Sequence, residues 1–472
     1  METEMGNHSF LLPLIYLLLA VLFIVGIKQL SSPKTARNGN LLAAFSMLAA
    51  ILITSAQEKI LTAPVMLIGI LIGGGVGLLL AYRVKMTDMP QLVALFNGMG
   101  GGAAALVEGT ELFEKLGAHA PLLLARTIPM TVGTAIGCIT FSGSMVAFGK
   151  LQGLIGPKAS KSFILKALTL AFAAIILISA TFFLIRINPL VYEVLAVTAF
   201  IFGIVMVIPI GGADMPVVIS LLNSFTGLSV AFAGFVLRNN LLIISGTLVG
   251  ASGTLLTQLM CRAMNRSLSN VLFGAFGASP GGKGELAVSG SPSSNGSIKQ
   301  ISLDDAAVLL AYAKNVIIVP GYGLAVAQAQ HQIRDLADLL GKKGVEVKYA
   351  IHPVAGRMPG HMNVLLAEAN VPYPQLHEMD EINPEFPRTD LVLVVGANDV
   401  VNPAARATKT SPIYGMPILN VDQAEKVVVL KRGMSPGFAG IENELFYNPK
   451  TYMLFGDARE TLQKLTAAVK EA

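Results

Sequence analysis

Two glycines that follow an apolar, β-branched run form a pattern suited to binding a phosphate-containing ligand. The run Val316–Val319 leads through Pro320 to Gly321 and Gly323, after which a helical stretch begins. A strand, a tight glycine turn and a helix start together place a dinucleotide pyrophosphate at a helix N-terminus. Val326 stands where the third glycine of that fingerprint is expected, so the pattern alone also fits an ordinary strand-to-helix turn.

The second strand of this unit lacks the acidic residue that accompanies NAD binding. In an NAD-binding unit, an Asp or Glu at the end of that strand binds the ribose 2′-hydroxyl. Here the strand ends at His352 without an acid. Lys431 and Arg432, directly after the run Val427–Leu430, could supply the charge and geometry that a 2′-phosphate needs. A Lys-Arg pair alone more commonly lies in a solvated loop.

The composition indicates what kind of elements hold these residues. Of 472 residues, 53% are hydrophobic and 13% are charged, which points to a membrane protein rather than a soluble one. Cys138 and Cys261 are too few and too isolated for a cysteine-based metal site. Nine apolar runs are long enough to cross the hydrocarbon at about 1.5 Å per residue. They cover residues 10–27, 40–57, 64–82, 91–107, 127–149, 163–185, 193–209, 215–237 and 240–261.

The charges orient these spans and give no support to nucleic-acid binding. From residue 301 onward the chain has 16 Lys and Arg against 19 Asp and Glu, leaving 18 against 10 upstream. Basic residues that flank apolar spans follow the positive-inside rule. When the Lys and Arg residues in the connections between spans are counted, eleven lie on one side of the membrane and five on the other. This predicts an external N-terminus and a C-terminal domain in the cytoplasm.

The segment between residues 276 and 300 is rich in Gly, Ser and Pro and has too few apolar residues to form a core. This composition predicts a flexible linker. Beyond it, β-branched runs at 316–319, 345–349, 391–395, 427–430 and 452–455 alternate with helical stretches, the first at 324–340. Such alternation predicts a parallel, doubly wound sheet. We therefore expect a membrane domain at 1–275, a linker at 276–300 and an α/β domain at 301–472.

Longer blocks of sequence are more specific than the glycine pattern. They read Gly-Tyr-Gly-Leu-Ala-Val-Ala-Gln-Ala-Gln from Gly321, His-Pro-Val-Ala-Gly-Arg-Met-Pro-Gly-His-Met-Asn from His352, Gly-Ala-Asn-Asp-Val-Val-Asn-Pro-Ala-Ala from Gly396, Gly-Asp-Ala from Gly456 and Gly-Gly-Ala-Asp-Met-Pro from Gly211. These blocks resemble the beta subunit of proton-translocating nicotinamide nucleotide transhydrogenase. The resemblance extends over essentially the whole chain.

The resemblance implies a multi-span α-helical membrane bundle joined to a C-terminal Rossmann-like NADP-binding domain, in the inner membrane. Hydride would pass from NADH, bound by an alpha subunit, to NADP(H) bound by this chain, coupled to inward proton translocation. The alpha subunit would carry the NAD(H)-binding domain and further membrane helices, and the whole complex would be a dimer. One glycine loop can hold only one of the two cofactors, which agrees with a second chain.

The resemblance also implies roles for individual residues. Hydride transfer between two nicotinamides needs no protein acid or base, so Asn398 and Asp399 are expected to position the nicotinamide ribose. Asp399 could instead be a turn residue. The residues expected to bind the cofactor are Gly321, Tyr322, Gly323, Val326, Arg357, Asn398, Asp399, Lys431, Arg432, Gly437, Phe438, Gly440, Gly456 and Asp457.

Two segments of this set differ from the family pattern. The family places Ser after the Lys-Arg pair, and here Gly433 follows, which puts one phosphate hydrogen bond in doubt. The segment from Ser435 to Gly440 resembles a lid over NADP with glycine hinges. Phe438 stands there in place of a common Tyr.

Three polar residues in the membrane half are candidates for a proton path. An ionisable side chain near a span is costly unless it is paired or hydrated, which makes it a functional hypothesis by default. Asp214, at the start of the eighth span, is the leading candidate for coupling proton occupancy to the NADP domain. Asn223 follows nine residues later. Helix capping by Asp214 and an interhelical hydrogen bond from Asn223 are the structural alternatives.

Asn97 marks a departure from the family, which often has a titrating His in the fourth span. An amide cannot carry a proton, so the resemblance implies that the carrier is supplied by the partner chain or by water around Asn97. Two other functions remain open. One is a channel or antiporter with a nucleotide-sensing domain, weakly supported by Thr131-Val-Gly-Thr; the other is an NADP-binding module on a membrane anchor.

Overall fold

A computed structural model describes residues 2–30, 33–57, 64–118, 123–156, 163–273, 298–358, 360–409, 411–437 and 439–472. The chain divides into two compact units. One unit contains Met1–Gly212 and Val217–Thr257, and the other contains Ala213–Pro216 and Gln258–Ala472. Most of the predicted linker, residues 276–297, lies outside the described residues.

Within the described residues, nine helices are long and apolar enough to cross a membrane, as predicted. The fourth helix, however, continues from the predicted end at 107 to Gly117, because charged residues lowered the hydropathy without ending the helix. The nine helices are α1 (Glu2–Gln29), α2 (Pro33–Gln57), α3 (Pro64–Arg83), α4 (Met89–Gly117), α5 (Leu124–Leu151), α6 (Phe163–Ile185), α7 (Pro189–Val207), α8 (Met215–Leu237) and α9 (Asn240–Ala263).

Small residues bring two pairs of these helices into backbone contact. A Cβ atom at Gly137 of α5 would lie 2.6 Å from the carbonyl oxygen of Gly101 of α4. A Cβ atom at Gly227 of α8 would lie 2.4 Å from the backbone nitrogen of Gly250 of α9. Helices in lipid associate through such close packing, since burial of apolar surface does not distinguish a helix neighbour from a lipid tail. The glycine-rich composition of α4 therefore serves helix packing.

The C-terminal unit contains a six-stranded parallel sheet in the order β3-β2-β1-β4-β5-β6. The strands are β1 (Asn315–Pro320), β2 (Glu346–Ile351), β3 (Leu376–Glu378), β4 (Leu391–Val395), β5 (Lys426–Lys431) and β6 (Thr451–Phe455). The helices are α10 (Leu268–Phe273), α11 (Leu303–Ala311), α12 (Tyr322–Val326), α13 (Gln330–Lys342), α14 (His361–Glu368), α15 (Met379–Ile382), α16 (Ala404–Ala407) and α17 (Ala458–Glu471). The Rossmann-like prediction is confirmed.

Two details of this domain differ from the sequence prediction. The helix predicted at 324–340 is two helices, α12 and α13, separated where Gln328 has a φ of 50° in the left-handed region. The edge strand β3 was not predicted, because three residues are too few to show an alternating pattern. All five residues of β4 are buried, since helices cover both faces of a parallel sheet.

Candidate functional site

The glycine turn lies where the strand order of the sheet reverses. β1 neighbours β2 on one side and β4 on the other, and ligands of open α/β sheets bind at such a switch point. Gly321 follows β1 and Gly396 follows β4. The N–H of Gly321 donates to the carbonyl of Val395 at 2.9 Å, and the N–H of Gly323 donates to the carbonyl of Gly396 at 2.9 Å. The loops after the two strands are therefore joined directly.

Contact between these two loops explains why glycine is needed in the turn. A Cβ atom at Gly321 would lie 2.4 Å from the backbone of Ala397, and one at Gly323 would lie 2.7 Å from the Cα of Gly396. Gly396 itself has a φ of +67°, which favours glycine. Val326, the residue at the predicted third-glycine position, ends α12 with 42% of its surface exposed. No close backbone contact requires a glycine there.

Arg357 joins the glycine turn from the segment that follows β2. Its guanidinium carbon lies 4.5 Å from the ring centroid of Tyr322, a cation–π distance. The backbone N–H of Arg357 donates to Nδ1 of buried His361 at 3.1 Å, which fixes the segment to the start of α14. A cation is thereby held beside the N-terminus of α12, and its contact with the cofactor phosphates stays a prediction.

The predicted positioning residues lie against the predicted lid. Oδ2 of Asp399 accepts the backbone N–H of Ala439 at 3.0 Å, and a Cβ atom at Gly437 would lie 2.4 Å from Oδ1 of Asp399. With its amide oriented to satisfy its neighbours, the Asn398 oxygen accepts the N–H of Gly437 at 2.7 Å and Nζ of Lys431 at 3.3 Å. These four predicted site residues are thus in one cluster.

Lys431 is the charged centre of this cluster. It ends β5, and its ammonium group lies 5.0 Å from the ring centroid of Phe446 and donates to the carbonyl of Ser435. Burial lowers the pKa of Lys431, and the opposite charge of Asp399 counteracts this effect. The ammonium is therefore partly desolvated and available to pair with an anion. Arg432 is exposed next to it.

The structure gives fewer contacts for the remaining predicted residues of the lid and of the turn after Arg432. A Cβ atom at Gly433 would meet nothing within 4 Å, so the Ser of the family pattern would fit there. Gly440 has a φ of +69°, as a hinge allows. Phe438 lies outside the described residues, and its role in a lid stays a prediction.

Gly456 and Asp457 have a structural role at the end of β6. Oδ1 of Asp457 accepts the backbone N–H groups of Arg459 at 3.0 Å and Glu460 at 3.4 Å, which caps α17. A Cβ atom at Gly456 would lie 2.2 Å from Oγ1 of Thr461. Helix capping accounts for this pair, and its contribution to ligand binding stays a prediction.

One residue of the cluster escaped the sequence analysis. Asn443, 2% exposed, donates from Nδ2 to the backbone carbonyl of Asn398 at 3.0 Å and accepts the N–H of Leu445. It therefore holds the loop after β4 against the loop after β5. Such an anchor lies in no short motif, and nothing in a single sequence distinguishes it from a surface Asn.

The three candidate proton-path residues of the membrane half, Asp214, Asn97 and Asn223, have different surroundings. Asp214 lies in a 3-10 turn directly before α8, and its carboxylate accepts Nη1 of Arg266 at 3.0 and 2.8 Å. Nδ2 of buried Asn97 donates to Ser144 at 3.1 Å. Asn223 is half-buried in α8. Arg266 is one of the eleven Lys and Arg on the side predicted to be cytoplasmic, and its pairing with Asp214 was not predicted.

His352, at the end of β2, makes the stability of this domain dependent on pH. It is 1% exposed, Nδ1 accepts the N–H of Val354 at 3.2 Å, and Nε2 therefore donates to the carbonyl of Pro417 at 2.8 Å. Burial lowers the pKa of His352 from 6.5 to about 4. Between these values the unfolded chain binds a proton that the folded domain excludes, so stability falls as pH falls.

We expect this histidine to remove about 2 kcal/mol of unfolding free energy between about pH 7 and pH 5. The urea midpoint of the sheet domain, followed by pulse proteolysis of the full chain, measures the effect. The matched variant His352→Gln should show a flatter dependence on pH. Equal slopes for the two proteins would contradict the assignment.

The sequence of this chain matches known proteins over nearly its whole length. Residues 12–468 match the family described as PNTB: NAD(P) transhydrogenase beta subunit. The NAD(P) transhydrogenase subunit beta of Rhodospirillum rubrum is 47% identical over 458 residues, which are 96% of this chain and 98% of the relative. The sequence of that subunit from a named strain of the species gives the same values.

Proposed function

This chain belongs to the NAD(P) transhydrogenase beta subunit family, and from that premise we propose that it binds NADP(H) and conducts protons. The nucleotide binds at the carboxyl ends of β1, β4 and β5. The membrane helices couple hydride transfer from NADH to NADP to inward proton translocation. NAD(H) is bound by the partner alpha subunit.

The observation that carries the NADP assignment is the cluster around Lys431. Its partly desolvated ammonium lies beside the exposed Arg432 at the end of β5, and a 2′-phosphate would pair with both positive charges. β2 ends without the acid that a 2′-hydroxyl would need. Both features favour NADP over NAD.

The residues of the site fit a dinucleotide in two parts. The loop at Gly321 and Gly323, with the Arg357 cation beside it, takes the pyrophosphate at the start of α12. Asn398 and Asp399 orient the nicotinamide ribose, and the two residues whose N–H groups they accept, Gly437 and Ala439, lie over it. When bound, NADP supplies the carbon that accepts hydride, and the protein contributes position and exclusion of water.

The partner is an alpha subunit that brings the NAD(H)-binding domain and further membrane helices. The beta designation of the family supports this pairing. We further propose a dimer of the whole complex in the inner membrane. The soluble domain lies in the cytoplasm, as the eleven-to-five distribution of Lys and Arg between the two sides favours.

Reconstitution with the alpha subunit in liposomes tests the proposal. NADH should reduce an NADP analogue while the internal pH changes. Hydride transfer without proton movement would remove the transport function. Neither activity, together with NADPH binding, would favour a nucleotide-sensing channel.

Replacement of Asn97 by Ala tests the membrane part. We expect proton-coupled turnover to fall about 10-fold, because the hydrogen bond of Asn97 to Ser144 across α4 and α5 is lost, while the Kd for NADPH is unchanged. Thr110→Ala on the exposed face of the same helix is the matched control. Coupling unchanged by Asn97→Ala would contradict a role in the path.

A further inference from the structure

An acidic side chain is also buried in α4, beyond residue 107, the predicted end of this span. Glu108 is 0% exposed, and its Oε2 accepts a hydrogen bond from Oγ1 of Thr134 on α5 at 3.1 Å. Its Oε1 has no hydrogen-bond partner among the described residues. A buried carboxyl group with one oxygen unsatisfied is costly and calls for an explanation.

The neighbouring helix leaves a space shaped to this carboxyl group. A Cβ atom at Gly133 of α5 would lie 1.8 Å from Oε1 and 2.5 Å from Cδ of Glu108. The carboxyl group therefore occupies the volume that any other side chain at this position would fill. The carbonyl of Gly133 accepts Oγ of Ser229 on α8 at 3.0 Å, which brings a third helix to the same place.

Hydroxyl groups connect Glu108 to a fourth helix. Oγ1 of Thr134 lies 2.5 Å from the hydroxyl oxygen of Tyr192 on α7. A threonine hydroxyl has one proton, so when Thr134 donates to Glu108, Tyr192 donates to Thr134. When the proton is on Oε2, both hydrogen bonds can reverse. The chain Tyr192–Thr134–Glu108 is therefore a two-way hydrogen-bond relay.

No basic side chain among the described residues forms an ion pair with Glu108. Glu111, one turn further, pairs instead with Lys115 at 2.7 Å. The titratable groups that face Glu108 are Tyr192 from α7 and Cys138 from α5. Around Tyr192 the packing is apolar, with Leu112, Met130, Phe183 and Val236. Among the described residues, a proton is therefore the one counter-charge that this environment offers to the carboxylate.

Glu108 shares a helix face with Asn97. The two residues are eleven positions apart, which in an α-helix is three full turns plus about 20°. Their positions along the helix axis differ by about 16 Å. Gly101, Ala104 and Ala105 between them are also buried, and Oδ1 of Asn97 has no partner among the described residues. On α8, Thr226 donates to the carbonyl of Asn97 at 3.3 Å, and Ser229 donates to the carbonyl of Gly133, the glycine that faces Glu108. The polar groups thus line one seam between α4, α5 and α8.

We propose that Glu108 is a proton-binding group on the membrane path of this chain. The carboxylate takes up one proton on Oε2, through Tyr192 and Thr134, to form the neutral acid, and it releases one proton in the direction of Asn97. In the proposed orientation Glu108 lies nearer the external side, so it is loaded first. Asn97 cannot bind a proton, and Glu108 then provides the proton-carrying group within this chain. This inference rests on the proposed function, because the path has a purpose only if protons move.

Glu108→Gln in the complex with the alpha subunit tests the proposal, since the amide keeps the shape and cannot bind a proton. We expect coupled proton translocation to fall on the order of 100-fold, with the Kd for NADPH unchanged. Glu111→Gln, on the same helix and outside the seam, should retain wild-type coupling. Glu108→Asp, which keeps the carboxyl group, should recover part of the activity.

Infrared difference spectroscopy in H₂O and D₂O provides a readout that does not depend on transport. The wild-type complex should show the C=O stretch of a protonated carboxyl group that changes with pH and is absent from Glu108→Gln. A band that persists in Glu108→Gln, or coupling that survives in it, would overturn the proposal. A wild-type complex that moves no protons would defeat the proposed function, and the infrared band would still decide whether Glu108 binds a proton.

Discussion

Replacement of both Lys431 and Arg432 by Ala should weaken NADPH binding about 100-fold and leave NADH binding almost unchanged. Each side chain would make a charge-assisted hydrogen bond to the 2′-phosphate, worth about 1.5 kcal/mol, and two such bonds correspond to about 100-fold in Kd. NADH has a hydroxyl group in that position and loses neither bond. Calorimetric titration of the full chain with each nucleotide measures the ratio.

The control for this prediction is Lys426→Ala, at the opposite end of β5. It removes one positive charge from the same strand without altering the carboxyl edge of the sheet, so the Kd for NADPH should stay near the wild-type value. Equal losses for NADPH and NADH in the double variant would show that the pair does not recognise the 2′-phosphate. The nucleotide preference would then need another source.

Gly321→Ala should have a comparably large effect through geometry. The new Cβ atom would lie 2.4 Å from the backbone of Ala397, so the loops after β1 and β4 must separate. Overpacking of this kind costs about 1–3 kcal/mol of stability. Displacement of the turn by about 1 Å should lower hydride transfer about 100-fold. Stopped-flow measurement in the reconstituted complex gives the rate.

Gly341→Ala is the matched control. Gly341 lies in α13, where an added Cβ meets nothing within 4 Å, and alanine favours the helix. This variant should therefore be as stable as the wild type or more so, with an unchanged rate. A wild-type rate in Gly321→Ala would mean that the loop contact is not needed to position the nucleotide.

The sheet could be predicted because its strands have a strong local signal. The runs at β1, β4 and β5 are β-branched and continuously apolar, as strands covered on both faces must be. β3 has three residues, and its assignment depends on pairing with β2, which no local pattern reveals. The break at Gln328 likewise depends on a backbone conformation rather than on composition.

The site residues that lie in a sequence motif could be predicted, and those whose role comes from packing could not. The glycine turn, Asp399 and Lys431 lie in recognisable blocks, and the structure brings Asp399 and Lys431 together with Asn398 and Gly437. Glu108 was missed because hydropathy falls at the charged end of α4, which placed the end of the span one residue before it. Its significance comes from Thr134 and Tyr192, which are distant in sequence.

The contact of Gly101 with Gly137 also constrains how this protein can vary. A methyl group at either position would force the backbones of α4 and α5 apart, and with them the two sides of the seam that holds Asn97 and Glu108. The close contact therefore fixes the spacing between α4 and α5. In a library of random substitutions, these two glycines should be depleted as strongly as the charged residues, although neither has a functional group.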